Sequence, residues 1–572
     1  MTLLGIMQDK QLLISDIIRY AETYHPSREI ITRDANGDQH RYTYSDAARR
    51  ARKLARVLER WGVTAGDRVA TLAMNHYRHF ELFYGVSGSG AVLHTVNPRL
   101  HEDQIAYICN HAEDRILFFD SQFLPLVLSL LPRLETIERY VVLDFDEESL
   151  SDADQLPAFT SFEAELAREN EDFEWPSFDE RTACSLCYTS GTTGNPKGVL
   201  YSHRSTVLHA LAACQNSAMG LSSYDTIMPL APMFHVNAWS TPYLAPMIGA
   251  NLVLPGPKLD PEVLHELIQQ EAVTFTAAVP TVFVALLEYL EKTGKRIDTM
   301  KKAVIGGTAV SPAMIDLLRE KYGCSVAQMW GMTELSPLGT MTTLTPTVDG
   351  LPAEQRQAYL YKQGRAQFGL ELRILDDLGR PVPRDGLSPG TLWVRGPWAA
   401  AGYFKEEGGA ILDEDGWLPT GDVATLDQHG FLRITDRTKD VVKSGGEWIS
   451  SVELENLAYS CPGVRLAAVI GAKHLKWDER PVMIVVLKDG ADLSRADLLE
   501  HLRPRVAKWW LPDDVIFVDE MPMTSTGKIR KADLRERFFD HLLGDRVIPF
   551  TRPLDPSQTG TDYFSSQSEG ER

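Results

Sequence analysis

One stretch concentrates residues that can bind phosphate, and it runs from Tyr188 to Val199 as Tyr-Thr-Ser-Gly-Thr-Thr-Gly-Asn-Pro-Lys-Gly-Val. Its three glycines let the backbone approach a ligand closely, while hydroxyls, backbone N–H groups and Lys197 offer donors to phosphate oxygens. The P-loop of the standard NTPases is excluded, because its lysine directly follows the last glycine whereas Lys197 follows Pro196. A flexible surface turn would account for the glycines but not for the whole string. The residues therefore predict a nucleotide phosphate loop of another kind.

We expect this loop to connect a strand to a helix. The run from Thr182 to Tyr188 has the short apolar character of a buried strand, and Tyr201 to Cys214 has the pattern of a helix. Two later strands are predicted to end in Gly306-Gly307-Thr308 and in Trp330-Gly331-Met332-Thr333-Glu334. Ligands of open parallel sheets bind beyond the carboxyl ends of strands, so the three loops are expected to form one cleft. An indole there suits adenine, and a carboxylate suits a phosphate-bound Mg²⁺.

Length and charge narrow the possible classes. A chain of 572 residues predicts two to four domains. Helical and strand-like segments alternate up to about Asp144, which is typical of βαβ units, and a compact α+β unit is expected from Val441 onward. A net charge of −20 disfavours nucleic acid and anionic membranes as the main partners, although a local basic groove for a phosphorylated cofactor is compatible with it.

The sequence carries no recognisable secretory signal and no apolar run long enough to span a bilayer, so a cytosolic protein is expected. Its six cysteines show no disulfide-like pattern. Cys184 and Cys187 form a C-x-x-C inside a predicted strand, where a separation of three places the side chains on opposite faces. We interpret both as packing residues.

Several residues have an ordinary interpretation beside a functional one. His235 and Trp239 lie among apolar residues, where a satisfied core histidine and a packed indole are usual. Asp422 follows Gly421, as expected of a carboxylate that holds ribose hydroxyls, yet aspartate is also common in turns. Between Val141 and Glu180 stand fourteen acidic residues and one basic residue, which we interpret as a solvated insertion or linker.

Five motifs in order resemble the core motifs of the adenylate-forming acyl-CoA synthetase superfamily. They are Tyr188–Val199, Trp330–Glu334, Thr420–Asp422, Asp436–Lys443 and Thr524–Lys528, and the resemblance covers nearly the whole chain. Three further segments most resemble bacterial medium- and long-chain fatty acid CoA ligases, and the methylthio-propanoate ligases are also similar; these segments are Pro232–Trp239, Gly445–Ser450 and Lys476–Pro481.

The resemblance implies an α/β fold. We expect a large N-terminal domain of layered, mostly parallel sheets with helices and a β-barrel-like part, and a small mobile α+β C-terminal domain. The implied limits are 1–437 for the domain that binds AMP and the acyl group, 438–545 for the mobile catalytic domain with its hinge near Lys439, and 546–572 for a disordered tail. A homodimer is also implied.

The implied reaction consumes a carboxylic acid, ATP and coenzyme A with Mg²⁺, in two half-reactions that pass through an acyl-adenylate. Catalytic roles fall to Lys528, Lys443, Glu334 and Thr189, with Glu334 as the Mg²⁺ ligand. The implied ATP- or AMP-binding residues are Thr189, Ser190, Gly191, Thr192, Thr193, Gly194, Lys197, Gly307, Trp330, Gly331, Thr333, Glu334, Asp422, Arg437 and Lys528. The implied acyl pocket comprises His235, Trp239 and Gly331, and the implied coenzyme A contacts are Lys443, Gly445, Gly446, Glu447 and Trp448.

The resemblance does not identify which carboxylic acid is the substrate. We favour medium-chain fatty acids, with long-chain fatty acids and 3-methylthiopropanoate as alternatives. A more distant alternative is an adenylation domain that loads an acyl carrier protein. A non-catalytic acyl-binding relative is disfavoured, because Lys197, Glu334 and Lys528 are all present.

Overall fold

The computed structural model describes residue 3 and residues 5–145, 155–189, 195–308, 310–445, 447–524 and 528–543. Outside this part of the chain lie the predicted phosphate-loop residues Ser190, Gly191, Thr192, Thr193 and Gly194, the predicted coenzyme A residue Gly446, and the predicted tail. For Glu447 the structure describes the strand but not the side chain.

The strands of the described residues follow one another along the whole chain. In chain order they are β1 (Glu29–Arg33), β2 (Gln39–Thr43), β3 (Arg68–Leu72), β4 (Val92–Thr95), β5 (Asp114–Phe119), β6 (Arg139–Val142), β7 (Phe159–Ser161), β8 (Ala183–Tyr188), β9 (Gly198–Ser202), β10 (Thr226–Pro229), β11 (Asn251–Leu254), β12 (Phe275–Ala278), β13 (Lys302–Gly306), β14 (Ser325–Gly331), β15 (Leu338–Met341), β16 (Arg365–Ala366), β17 (Glu371–Leu375), β18 (Gly390–Arg395), β19 (Leu418–Leu426), β20 (Leu432–Arg437), β21 (Val442–Ser444), β22 (Glu447–Ile449), β23 (Val464–His474), β24 (Asp478–Leu487) and β25 (Asp514–Phe517).

Helices separate most of these strands, as the alternating sequence pattern predicts. They are α1 (Ile14–Tyr24), α2 (Tyr44–Arg60), α3 (Tyr77–Gly88), α4 (Glu102–Ala112), α5 (Leu124–Leu130), α6 (Phe162–Ala167), α7 (His203–Cys214), α8 (Val236–Trp239), α9 (Thr241–Ile248), α10 (Pro261–Gln270), α11 (Pro280–Thr293), α12 (Pro312–Tyr322), α13 (Pro346–Asp349), α14 (Ala353–Leu360), α15 (Ser451–Tyr459), α16 (Arg495–Leu502) and α17 (Lys531–Phe538).

Within the described residues the strands form four sheets. A seven-stranded sheet has the order β7-β6-β5-β3-β4-β8-β9, and a nine-stranded sheet has the order β16-β15-β14-β13-β12-β10-β11-β1-β2. Both are mostly parallel, with antiparallel pairs at their edges. The predicted β-barrel-like part is a four-stranded antiparallel sheet, β17-β18-β19-β20. The α/β fold is confirmed.

The main core lies between the two large sheets. It contains buried side chains of α1, α2, α3, α7 and α9 together with strand residues from both sheets, such as Val69 and Leu252. Separate apolar clusters cover the outer faces, with α10, α11 and α12 on the nine-stranded sheet and α4 and α5 on the seven-stranded sheet. Helices on both faces explain why the parallel strands are apolar throughout.

The last sheet belongs to the region that begins near Val441. Its strands β21 to β25 carry two apolar clusters, one on each face, with α15 and α16 on one side and α17 on the other. Strands β23 and β24 pair over ten residue pairs, which makes this hairpin its centre. The predicted α+β unit therefore has a core of its own.

The glycine loop does not connect a strand to a helix, and this prediction is wrong. Strand β8 pairs antiparallel with β9, so the loop joins two strands of one hairpin. Helix α7 begins only at His203, because Ser202 forms a capping box with Ser205 there. In the described part of the chain, strand β9 therefore stands between the loop and the first turn of α7.

The acidic stretch between Val141 and Glu180 is not a solvated insertion or linker throughout, so that interpretation is corrected. Strand β7 extends the seven-stranded sheet, and α6 packs beside α2. Arg50 donates to Glu163 at 2.9 Å and to the fully buried Glu81 at 2.7 Å. Arg60 contacts Glu165 at 2.7 Å. Acidic charge here pairs with the basic face of α2.

Candidate active site

Two of the predicted site loops leave neighbouring strands at one edge of the nine-stranded sheet. Strands β13 and β14 run parallel, and Gly306 pairs with Met329 just before the loops begin. Gly307 has φ +88°, in the region that favours glycine. Gly331 accepts no side chain either, because a Cβ there would lie 2.0 Å from the Pro337 carbonyl oxygen. Adjacent strand ends thus bring Gly307 and Trp330 to the same cleft, as expected.

Asp422 forms the polar wall of this cleft. The Trp330 indole N–H donates to Asp422 Oδ2 at 2.7 Å, and Arg437 Nε contacts Asp422 Oδ1 at 2.7 Å. The carboxylate side chain is 4% exposed, whereas that of Arg437 is 55% exposed. Register places Asp422 opposite Arg437 on β19 and β20. A carboxylate has about four acceptor positions, so Asp422 retains capacity for further donors.

Lys528 enters the cleft from the far end of the chain. A Cβ built on Gly307 would lie 3.2 Å from Lys528 Cε and 3.6 Å from Lys528 Nζ. Thr524 and Lys528 bond each other, since the Lys528 N–H donates to Thr524 Oγ1 at 3.0 Å. Burial lowers the pKa of Lys528 to about 8; Arg437 adds to this and Asp422 opposes it. The structure therefore brings Lys528, the last residue of the fifth motif, to the Gly307 loop.

The described base of the glycine loop faces the same region. The Thr189 N–H donates to the Lys197 carbonyl at 2.9 Å, and the Lys197 N–H donates to Thr189 Oγ1 at 3.2 Å. Lys197 Nζ lies 4.9 Å from the centre of the Tyr403 ring. The Tyr403 hydroxyl in turn donates to Glu334 Oε1 at 2.6 Å. A phenol thus links the phosphate-loop lysine to the predicted Mg²⁺ ligand.

Tyr403 is a site residue that the sequence reading missed. Its segment, Ala-Gly-Tyr-Phe after two further alanines, has no motif of its own, and only the fold places the phenol between Lys197 and Glu334. Tyr201 is a second such residue, because its hydroxyl donates to the Thr333 carbonyl at 2.6 Å. Hydrogen bonds also fix Glu334 itself, whose carbonyl accepts from the Ala400 N–H at 2.8 Å.

His235 precedes α8, which is an unusual left-handed turn that contains Trp239 and not a regular α-helix. The five residues from Val236 to Ser240 all have positive φ, between 46° and 70°. Left-handed backbone costs about 1–2 kcal/mol for each residue that is not glycine. Asn237 is held in place by Ser185, whose Oγ lies 3.1 Å from Asn237 Nδ2. Trp239 is buried, whereas His235 is partly exposed and its pKa is lowered by burial and by the nearby Lys528.

The described coenzyme A candidates Lys443, Gly445 and Trp448 lie together in the C-terminal unit. Lys443 and Trp448 face each other across the β21–β22 hairpin, and the Lys443 side chain is exposed. The Lys443 N–H donates to Glu479 at 3.0 Å, and the Gly445 N–H donates to the Trp477 carbonyl at 2.8 Å. These contacts run within the C-terminal unit.

Two sequence models of protein families match the chain. The family described as AMP-binding enzyme matches residues 19–404, and the AMP-binding enzyme C-terminal domain matches residues 453–528. The first match contains the strand-end loops and the second ends at Lys528, whereas Asp422, Arg437 and the predicted coenzyme A residues lie between the two matches.

Curated relatives and a solved structure agree with these matches. A 3-methylmercaptopropionyl-CoA ligase of Ruegeria lacuscaerulensis is 47% identical, covering 95% of this chain and 100% of its own. A medium-chain-fatty-acid–CoA ligase of Ectopseudomonas oleovorans is 45% identical, covering 95% and 98%. A long-chain-fatty-acid–CoA ligase of Thermus thermophilus is 44% identical, covering 94% and 98%.

The crystal structure of the anthranilate CoA ligase AuaEII in complex with anthranoyl-AMP superposes with a TM-score of 0.81 at 25% identity, covering 93% of this chain and 99% of its own. The family model alone spans more than half of the chain, and the relatives span nearly all of it. The chain therefore belongs to the AMP-binding enzyme family, as an AMP-forming acyl-CoA ligase.

Proposed function

We propose that this chain is a medium-chain fatty acid CoA ligase, which joins the acid to coenzyme A and releases AMP and diphosphate. The observation that supports the ligase chemistry is Lys528, which reaches Gly307 within the electrostatic range of Asp422 and Arg437. The medium-chain acid is supported by the 45% identity to the Ectopseudomonas oleovorans ligase. A carboxylate that attacks the α-phosphate of ATP is an anion approaching an anion. An ammonium at that point neutralises charge and holds the reactants in line.

The first half-reaction is assigned to the cleft around Asp422. Asp422 and Arg437 hold the ribose, Gly307 and Trp330 border the adenine, and Gly331 permits close approach of the backbone. Thr333 contacts the α-phosphate. The β- and γ-phosphates are cradled by Thr189, Ser190, Gly191, Thr192, Thr193, Gly194 and Lys197. The Asp422 carboxylate supports its role, because Trp330 and Arg437 orient it while leaving acceptor capacity.

Glu334 fits a role as the protein ligand of Mg²⁺. Mg²⁺ is usually held by one or two carboxylates together with substrate phosphates, and not by an all-protein cage. Glu334 is 7% exposed and is oriented by Tyr403 beside Lys197. Among the described residues no three His, Cys, Asp or Glu side chains form a metal cluster, which agrees with a single protein carboxylate. Bound Mg²⁺ would supply positive charge to the phosphate oxygens.

The second half-reaction is assigned to the other side of the C-terminal unit. Lys443, Gly445, Gly446, Glu447 and Trp448 contact coenzyme A after the unit has turned about a hinge at Lys439. Lys443 is exposed on a hairpin while Lys528 lies in the cleft, which supports an enzyme that uses the two lysines in turn. Such domain motions limit turnover in many enzymes. The proposed domain limits are 1–437 and 438–545.

The acyl chain is assigned to the space behind His235 and Trp239, with Gly331 at its head. Trp239 is buried and lies within the left-handed turn that ends at Ser240. Strained backbone of this kind is typical of functional sites.

A second candidate acid is 3-methylthiopropanoate, favoured by the 47% identity to the Ruegeria lacuscaerulensis ligase. Long-chain fatty acids are a third. An adenylation domain that loads an acyl carrier protein is the more distant alternative.

The acid should be identified by CoA-dependent AMP release over straight-chain acids from acetate to palmitate, with 3-methylthiopropanoate alongside. Each buried methylene contributes about 0.8 kcal/mol, or roughly fourfold in affinity. We therefore expect kcat/KM to rise about fourfold per carbon and to peak at medium chains. A maximum at the methylthio acid or at short acids would reject a fatty-acid tunnel, and release that is indifferent to free coenzyme A would favour the carrier-loading alternative.

The proposal also includes a cytoplasmic homodimer. The six cysteines are all free, which is the usual state in a reducing compartment. None of the described helices has both the length and the apolar character required to cross a bilayer.

A further inference from the structure

A buried carboxylate on β20 contacts the first helix of the C-terminal unit across the proposed hinge. Asp436 is 1% exposed. Its Oδ2 accepts from the Ser451 N–H at 2.6 Å, and its Oδ1 accepts from Ser451 Oγ at 3.0 Å. Oδ1 also accepts from the Arg437 N–H at 2.7 Å. The Asp436 side chain therefore connects its own strand, β20, to the N-terminus of α15. Negative charge is favourable at a helix N-terminus.

Lys531 completes this cluster from α17. Lys531 Nζ lies 2.7 Å from Ser451 Oγ and 2.6 Å from Glu455 Oε1. Burial disfavours its charge, but Glu455 and Asp436 outweigh burial and raise the pKa of Lys531. The Lys531 ammonium depends on its contact with Glu455, because an unpaired buried charge is costly. We call Asp436, Ser451 and Lys531 the clasp.

Two members of the clasp, Lys531 and Asp436, lie close in sequence to residues of the proposed catalytic cleft. Lys531 stands three residues after Lys528, so anchoring the first turn of α17 restricts where Lys528 can reach. Asp436 directly precedes Arg437, which contacts Asp422. Two further contacts join the same elements, from Ser450 Oγ to the Thr435 carbonyl and between Arg433 and Glu453 at 3.4 Å.

We propose that the clasp is a positioning device that favours the orientation with Lys528 in the cleft and that opens when the C-terminal unit turns toward thioester formation. Asp436 lies before Lys439, whereas Ser451 and Lys531 lie after it. A rotation about Lys439 therefore changes the two contacts between Asp436 and Ser451. Bonds inside the unit, such as those of Lys531 with Ser451 and of Arg535 with Asp440, are carried along. The inference rests on the two half-reactions of the proposed function. Asp436 is a positioning residue, since it bonds Ser451 and acts on α17 only through the contact between Ser451 and Lys531.

The test is Asp436→Asn in the full chain, with each half-reaction measured separately. Adenylation is measured by ATP–diphosphate exchange with octanoate, and thioester formation by adding coenzyme A to supplied octanoyl-adenylate. Loss of hydrogen bonds to a charged group shifts an equilibrium by about tenfold or more. We expect the ratio of adenylation to thioester rate to fall about tenfold, with the thioester rate undiminished.

Ser451→Ala provides a milder variant should Asp436→Asn fail to fold, and it should shift the same ratio in the same direction. Glu536→Gln, at an exposed position of α17, is the matched control and should leave both rates unchanged. Equal losses in both half-reactions, or an unchanged ratio in both clasp variants, would overturn the clasp. Absence of exchange in the wild-type protein would instead overturn the proposed function.

Discussion

Replacing Lys528 with alanine should slow acyl-adenylate formation by roughly 10²- to 10³-fold, which is the usual loss when a donor aimed at developing charge is removed. The side chain lies against Gly307, in a cleft where Arg437 and Asp422 both act on its charge. Alanine leaves no cation at position 528 to neutralise charge where the acyl carboxylate attacks the α-phosphate of ATP. The measurement is ATP–diphosphate exchange with a medium-chain acid.

The same variant should convert supplied acyl-adenylate and coenzyme A to thioester at nearly the wild-type rate, because that step is assigned to the Lys443 side of the unit. Lys488→Ala is a suitable control, since Lys488 is an exposed lysine of the same C-terminal region. Equal loss of both half-reactions in Lys528→Ala, with none in Lys488→Ala, would contradict the assignment of Lys528 to adenylation alone.

Adenylation should also be lost in mildly alkaline solution. Burial, with Arg437 adding to it and Asp422 opposing it, lowers the pKa of Lys528 to about 8. The protonated amine is the active form, so its charge is present below that pH and lost as the pH rises through it. The pH dependence of kcat/KM reports the pKa values of groups in the free enzyme. The kcat/KM for ATP should therefore fall about tenfold per pH unit above about pH 8.

Lys528→Arg supplies the comparison for this pH profile, because a guanidinium stays protonated throughout the range. Its activity is expected to be lower at neutral pH but to lack the alkaline decline. An identical decline in the arginine variant would assign the titration to another group. A wild-type profile that stays flat to pH 10 would show that Lys528 keeps its charge in the cleft.

Local sequence was sufficient for the strand-end loops. The apolar strands before Gly307 and Trp330 are features of neighbouring residues, and the structure has them where expected. Local sequence failed at β9 because Gly198–Ser202 is a short strand that runs directly into α7. Apolar residues on both elements merged into one apparent helix, so the hairpin was missed.

Contacts between distant segments were beyond the reach of sequence patterns. The bond from Trp330 to Asp422 spans 92 residues, and the bond from Tyr403 to Glu334 spans 69. The left-handed turn at Val236 to Ser240 contains no glycine, so nothing local predicted it. The acidic stretch looked solvated because its arginine partners lie on α2, about a hundred residues earlier.

The most direct test of the proposed two-step reaction is to trap its acyl-adenylate intermediate. The enzyme is incubated with α-labelled ATP, Mg²⁺ and octanoate without coenzyme A, quenched, and analysed for labelled octanoyl-adenylate. We expect enzyme-bound octanoyl-adenylate and diphosphate to form, and added coenzyme A to convert the adenylate to octanoyl-CoA and AMP. Formation of ADP, or of octanoyl-CoA under conditions where no adenylate can be trapped, would contradict the two-step reaction.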